Sequence, residues 1–282
     1  MIDLSEILTD LHEESTELDR LVAPLPDAEW RRPTPAPGWT VAHQIAHLNW
    51  TDRALVAAAT DPDGFARLVA VAMADPGGFV DAGATEGLAD PPVLLRRWRE
   101  GRAAVASALA ATPADVRLPW LGTTHSPTTA ATSRLMETWA HGQDVADALG
   151  LIRLPSKRLR HVAHLGVRTM AHSFLVHGRP APDAPVFIEL LAPDGGTWAY
   201  GPPDADNRVT GPALDFCLLV TQRRHRDDLA LEATGPVADA WLDVAQAFAG
   251  PPGDGRPPGG AQTEPGFGGA EHPRRHSEEL SR

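Results

Sequence analysis

The chain has 282 residues, 43% of them hydrophobic, a formal net charge of −12 and a pI of about 5.4. That is enough length and apolar content for one large domain or two ordinary ones. The acidity repels phosphate backbones and anionic lipid headgroups at long range, so neither nucleic acid nor a membrane is an expected partner. The single cysteine, Cys217, excludes an internal disulfide and fits a reducing cytoplasm. The acidic, amphipathic N-terminus lacks the basic-then-apolar pattern of a signal peptide. The longest apolar stretches, such as residues 68–74, fall far short of the ~18 residues of a membrane span. A soluble cytoplasmic protein is expected.

Residues 3–22 carry Leu4, Ile7, Leu8, Leu11, Leu18 and Leu21 at helical spacing with acids between them. A proline-rich connector, residues 24–38, follows. Thr40, a good N-cap, then opens a second helix that runs to about residue 60. Pro62 and Gly64 mark a turn, residues 65–73 predict a short helix, and Pro76, Gly77 and Gly78 break it. A third long helix is predicted from Pro91 to about Ala111, then a loop over 112–125. Ser126 as N-cap with Pro127 behind it starts a fourth helix, which stops at Gly150. Four long helices before residue 151 predict a bundle.

The pattern then changes. Residues 156–177 read as helix. VFIELLA and TWAYG, separated by the turn PDGG, read as two strands, and Arg208, Val209 and Thr210 as a third. ALDFCLLVTQR reads as a helix, LALEAT as a strand, and VADAWLDVAQAFA as a final helix ending at Gly250. This mixture predicts a small second domain. The expected organisation is α+β, with a helical domain over residues 1–152 and an α/β domain over 153–250. Residues 251–282 are rich in glycine and proline and poor in large apolar side chains. They are expected to form a disordered tail.

Two pairs of residues carry chemistry. His43 and His47 lie in GWTVAHQIAHLNW, and Glu137 and His141 in LMETWAHGQD. A spacing of four puts each pair on one helical face. Facing helices of a bundle can aim such pairs into a common interior. Two imidazoles and a carboxylate leave an open position on a divalent cation, as catalytic zinc sites do. Spacing alone leaves ordinary structural histidines as the alternative, and it does not bring the two pairs together. Trp39, Trp50 and Trp139 flank them as core or pocket wall. Cys217, inside DFCLLV, reads as a buried inert thiol.

The string GWTVAHQIAHL followed by METWAHGQDVADALG resembles the DinB-like superfamily. In particular it resembles the N-terminal domain of mycothiol-dependent maleylpyruvate isomerases and their actinobacterial relatives, and the likeness extends over roughly residues 3–253. It implies a DinB-like four-helix bundle followed by a sterol-carrier-like α/β domain, the latter carried by VTGPALDFCLLVTQRR. It implies His47, Glu137 and His141 as metal ligands, with His43 one turn before the ligand position. It further implies a divalent metal, zinc foremost, and mycothiol as thiol cosubstrate. The reaction implied is isomerisation or S-transfer on a small electrophilic substrate. In the isomerases a Gly-Arg pair ends the helix of the second domain and its arginine holds a substrate carboxylate. Here the pair reads Gln222-Arg223, which makes Arg223 the corresponding catalytic residue. Two other readings stand beside this one: a non-catalytic binder of metal and a small ligand, and a metal-dependent hydrolase with Asp144 as the nearby base. RNA modification, suggested because related C-terminal domains carry a wyosine-formation label, is opposed by the acidic charge and the lack of a basic stripe.

Overall fold

Local signals set the helical half. The computed structural model describes residues 3–253 and 255–259. Helix α1 (Leu4–Val22) leads through a short α2 (Asp27–Trp30) into α3 (Val41–Thr60). Asp61 then caps α4 (Pro62–Ala74) by accepting the Gly64 N–H at 2.9 Å, so this helix starts one turn earlier than its apolar run suggests. A short helix α5 (Phe79–Glu86) follows, which the sequence reading left out. Next come α6 (Pro91–Ala111) and a small antiparallel hairpin, β1 (Leu118–Trp120) with β2 (Thr123–His125), inside the segment read as loop. Helix α7 (Pro127–Ala148) starts where expected, with Ser126 Oγ accepting the Thr129 N–H at 3.2 Å. The four long helices form one packed group: α1 lies on α7 and α6, and α3 on α6 and α7. Leu18, Ile45, Leu48, Leu94, Trp98 and Val145 fill one half of their interior, and Ile7, Leu55, Val105 and Leu109 the other.

The predicted helix over 156–177 is two helices, α8 (Leu159–Arg168) and α9 (Met170–Val176). At their junction Thr169 turns its hydroxyl back onto the Leu165 and Gly166 carbonyls, a competing bond that breaks helical continuity. Strands β3 (Val186–Leu191), β4 (Thr197–Tyr200) and β5 (Asn207–Pro212) precede α10 (Ala213–Val220), β6 (Glu232–Thr234) and α11 (Pro236–Leu242). The sheet order is β4-β3-β5-β6, with β3 and β5 parallel and both outer pairs antiparallel. β4 is therefore the return path that lets β5 run alongside β3. Gly201 makes that crossing possible: its φ is +80°, and a Cβ there would lie 2.3 Å from the Val186 carbonyl oxygen.

The final helix is shorter than predicted. After Leu242 the backbone turns to tertiary partners: the Gln246 N–H donates to Ser173 Oγ at 3.0 Å and the Ala247 N–H to the Val220 carbonyl at 2.7 Å. Of the segment predicted to be a disordered tail, 251–253 and 255–259 are described and have no regular structure. The remainder of that prediction lies outside the described residues. Among the described residues no helix is long and apolar enough to cross a membrane.

One core joins the two halves. Leu11, Leu135, Met136 and Trp139 from α1 and α7 pack with Leu159, Val162, Phe216 and Trp241 of the second half. Charge reinforces the joint: Arg158 Nε donates to Glu14 Oε2 at 2.8 Å, and Arg153 NH2 to Glu17 Oε1 at 3.1 Å. Helix α7 is thus a wall of both halves.

Candidate metal centre

His47 on α3 and Glu137 and His141 on α7 converge. One ligand-type atom from each lies within 4.8 Å of the other two. Both imidazoles turn Nε2 toward the same carboxylate oxygen, Glu137 Oε2, at 3.6 Å from His47 and 3.2 Å from His141. The imidazole ring centroids are 4.5 Å apart. Donors on a tetrahedral ion with bonds near 2.1 Å sit about 3.4 Å from one another, so this spacing matches a shared cation. The helical register explains the pairing: Glu137 and His141 stack one turn apart, and the packing of α3 on α7 brings His47 across from them.

The protonation states suit metal binding. Burial, with the neighbouring His141, pushes His47 down to about 4, against the pull of Glu137. Its imidazole is therefore neutral at physiological pH, with a lone pair to offer. Burial alone would raise the Glu137 carboxyl, but the two imidazoles facing it, His141 and His47, outweigh that and hold it well below the usual carboxylate range. The donor set thus fits a divalent cation: an ionised oxygen donor and imidazole nitrogens, with no backbone rearrangement required.

Gln44 and Arg134 were not legible from spacing, whereas Trp39 and Trp50 flank the site as expected. Gln44, one turn before His47, is fully buried and meets His141 Nδ1 through its Oε1 at 2.5 Å. Below the site, the buried Arg134 donates from Nε to Asp52 Oδ1 at 3.0 Å and ties α7 to α3. Above it, Trp39 stacks against His141 with centroids 5.9 Å apart, and its Nε1–H donates to Asp81 Oδ1 at 2.8 Å. Trp50 flanks His47 on the other side. His43 lies outside the ligand cluster: its Nδ1 accepts the Thr40 N–H at 3.2 Å, so it caps the start of α3. No sequence rule singles out histidine for that position.

Trp50 is pressed onto α5. A Cβ on Gly83 would stand 2.4 Å from the Trp50 ring. Gly83→Ala is therefore expected to displace the indole and cost about 1–3 kcal/mol through overpacking. A thermal melt with tryptophan emission as readout checks this. Unchanged stability and emission would mean that Trp50 is not held there.

Arg223 follows the C-terminus of α10, and its NH2 donates to Asp144 Oδ2 at 2.9 Å, one turn beyond His141. Gln222 occupies the position of the expected glycine and adopts φ 58°, the left-handed conformation that glycine takes freely. The Arg223 N–H closes back on the Leu218 carbonyl and the Gln222 N–H on that of Leu219, both at 2.8 Å, in a Schellman-type ending. The backbone turn thus survives the loss of glycine. Asp144, named as a nearby base, is buried and also accepts from Arg256 at 2.5 Å, so both of its oxygens are taken. Cys217 is buried against the Leu159 carbonyl, and burial raises its thiol pKa far above the ordinary value, which leaves it inert.

A helical half with an inward His/Glu/His cluster, joined to a small mixed sheet, defines a recognisable architecture. The family model described as mycothiol maleylpyruvate isomerase N-terminal domain matches residues 11–146. A second model, described as wyosine base formation, matches residues 182–234, in the part expected to be sterol-carrier-like. "Uncharacterized protein Rv0036c" of Mycobacterium tuberculosis is 54% identical over 257 residues, covering 91% of this chain and 100% of that protein. The counterpart from a second M. tuberculosis strain gives the same figures. The crystal structure of the mycothiol-dependent maleylpyruvate isomerase aligns with a TM-score of 0.54 at 17% identity, covering 82% of this chain and 93% of that one. A histidine-to-alanine mutant of that enzyme aligns equally well. Residues 11–146 form a domain of the mycothiol maleylpyruvate isomerase N-terminal domain family, and the chain as a whole is a homologue of the mycobacterial protein.

Proposed function

We propose that this protein is a metal-dependent enzyme that uses a small thiol, mycothiol, on a small electrophilic substrate. One observation carries the reading: three donors of catalytic-zinc type, from two separate helices, face one point and leave further positions open. His47, Glu137 and His141 would hold the cation, zinc foremost. Bound there, a divalent cation supplies the Lewis acidity that lets a thiol lose its proton near neutral pH.

The chain's own residues do the rest. Trp39 and Trp50 flank the two imidazoles and limit access of bulk water. Arg223, held by Asp144 and by the Thr221 carbonyl, stands where the isomerases carry their carboxylate-binding arginine and would take that role on a substrate carboxylate. With an activated cis alkene as substrate, the thiolate sulfur adds to one alkene carbon. The resulting single bond rotates, and elimination returns the thiolate and leaves the trans alkene. S-transfer stops after the first bond forms and a proton is taken up. Hydrolysis is less well supported, because Asp144, the base it would need, is held by two guanidinium groups.

Cobalt substitution tests the reading. Addition of a small thiol to the cobalt-loaded protein is expected to change the visible ligand-field spectrum as sulfur enters an open position. A spectrum indifferent to thiol would point to a closed, structural site and sink the enzymatic reading.

A further inference from the structure

The two imidazoles are braced differently. Among the described residues His47 Nδ1 is buried with no partner, whereas His141 Nδ1 faces Gln44 Oε1 at 2.5 Å. Gln44 is in turn oriented from behind. Its Nε2 donates to Thr34 Oγ1 at 2.9 Å, and the Thr34 hydroxyl donates to the Trp39 carbonyl at 3.0 Å. A hydroxyl has one proton. Spent on the Trp39 carbonyl, it leaves Thr34 Oγ1 as an acceptor, so the amide must turn its NH2 toward Thr34 and its oxygen toward His141. An amide oxygen only accepts. His141 Nδ1 therefore carries the proton, and its Nε2 lone pair faces Glu137 and His47.

We infer that Gln44 is a positioning residue that fixes the tautomer of His141, through a chain running from the Trp39 carbonyl by way of Thr34, so that Nε2 is presented as a ligand. The inference rests on the metal reading above, and it reaches residues that the ligand set does not include. The competing arrangement is definite. With the amide reversed, His141 would carry its proton on Nε2 and donate to Glu137 Oε2 at 3.2 Å. That proton would stand where a cation must bind. Ring orientation by an acceptor behind the distal nitrogen is how proteins hold ligating histidines, and losing such a contact weakens metal binding by about 10–100-fold.

The experiment reads the tautomer directly. Nitrogen–proton correlation spectra of the His141 ring are recorded on metal-free, 15N-labelled protein at mildly alkaline pH. Wild type is expected to show Nδ1–H. Gln44→Leu, similar in size but without an acceptor, is expected to move the proton to Nε2 and to weaken zinc about 10–100-fold in a chelator competition. Gln44→Glu restores an acceptor and is expected to keep Nδ1–H and bind zinc within severalfold of wild type. An Nε2–H tautomer in wild type would overturn the inference. So would equal loss of zinc in the Leu and Glu variants, which would mark Gln44 as packing alone. If Gln44→Leu fails to fold, the wild-type and Gln44→Glu tautomers still decide. If wild type shows Nδ1–H yet binds no zinc, the Gln44 assignment stands and the metal reading falls.

Discussion

His47→Ala and His141→Ala are each expected to abolish zinc retention. Wild-type protein, purified and dialysed against metal-free buffer, should keep about one ion per chain, and each variant less than a tenth of that. Loss of one of three donors is a larger perturbation than the 10–100-fold cost of a lost outer contact. Elemental analysis of the three proteins side by side measures it, and undiminished zinc in both variants would remove the site. The metal-free proteins should differ in a second way. His47 is neutral when folded and its pKa sits at about 4, against 6.5 for the free side chain. As pH falls below 6.5 the unfolded chain takes up a proton that the folded chain refuses, so stability is lost between 6.5 and about 4. The loss amounts to roughly 3 kcal/mol once that window is crossed. His47→Ala has no such group, so its stability should vary less over the same window. Urea melts at pH 7.5 and 4.5 give the comparison.

Arg134→Met is expected to be the most destabilising single change near the site. Arg134 and Asp52 are both buried and face each other at 3.0 Å. Removing one member strands the other, at a cost of about 3–5 kcal/mol. Burial already pushes the Asp52 carboxyl up to about 6 against the pull of Arg134, and without that pull it rises further. The sign then follows. A carboxyl whose folded pKa exceeds its unfolded one is penalised as pH rises between the two, so the deficit of Arg134→Met should shrink on acidification. Adding Asp52→Leu should recover most of the loss, because a matched apolar pair needs no charge compensation. Equal stability of the single and double variants at pH 8 would show that the stranded carboxylate is not the cause.

The helical rods were legible because their signals are local. Thr40, Ser126-Pro127 and Gly150 punctuate apolar runs of helical period, and the observed ends fall within a residue or two of them. Elements held by distant partners were not. The 118–125 hairpin has three-residue strands, one interrupted by Pro119, too short for an alternation to show. Helix α5 contains Gly83 and follows Gly77 and Gly78, so it reads as a break; it forms where Gly83 meets Trp50. The stretch after Leu242 has helical composition, but Ser173 and Val220 claim its amides. At the site, the i,i+4 spacing placed Glu137 and His141 on one face. That His47 lies across from them follows from how α3 packs on α7, which no single helix encodes. Gln44 was hidden for the same reason: its role is defined by a residue 97 positions away.

Helix α7 leaves the molecule without a seam. One face offers Glu137 and His141, while Met136 and Trp139 are buried against the second half and Asp144 accepts its arginines. A fragment ending near residue 152 would bare an indole and a thioether to water and strip Asp144 of its counter-ions. An exchange of the C-terminal half for an unrelated one would need a replacement groove and two replacement guanidinium groups. The mycobacterial relative matches across both halves.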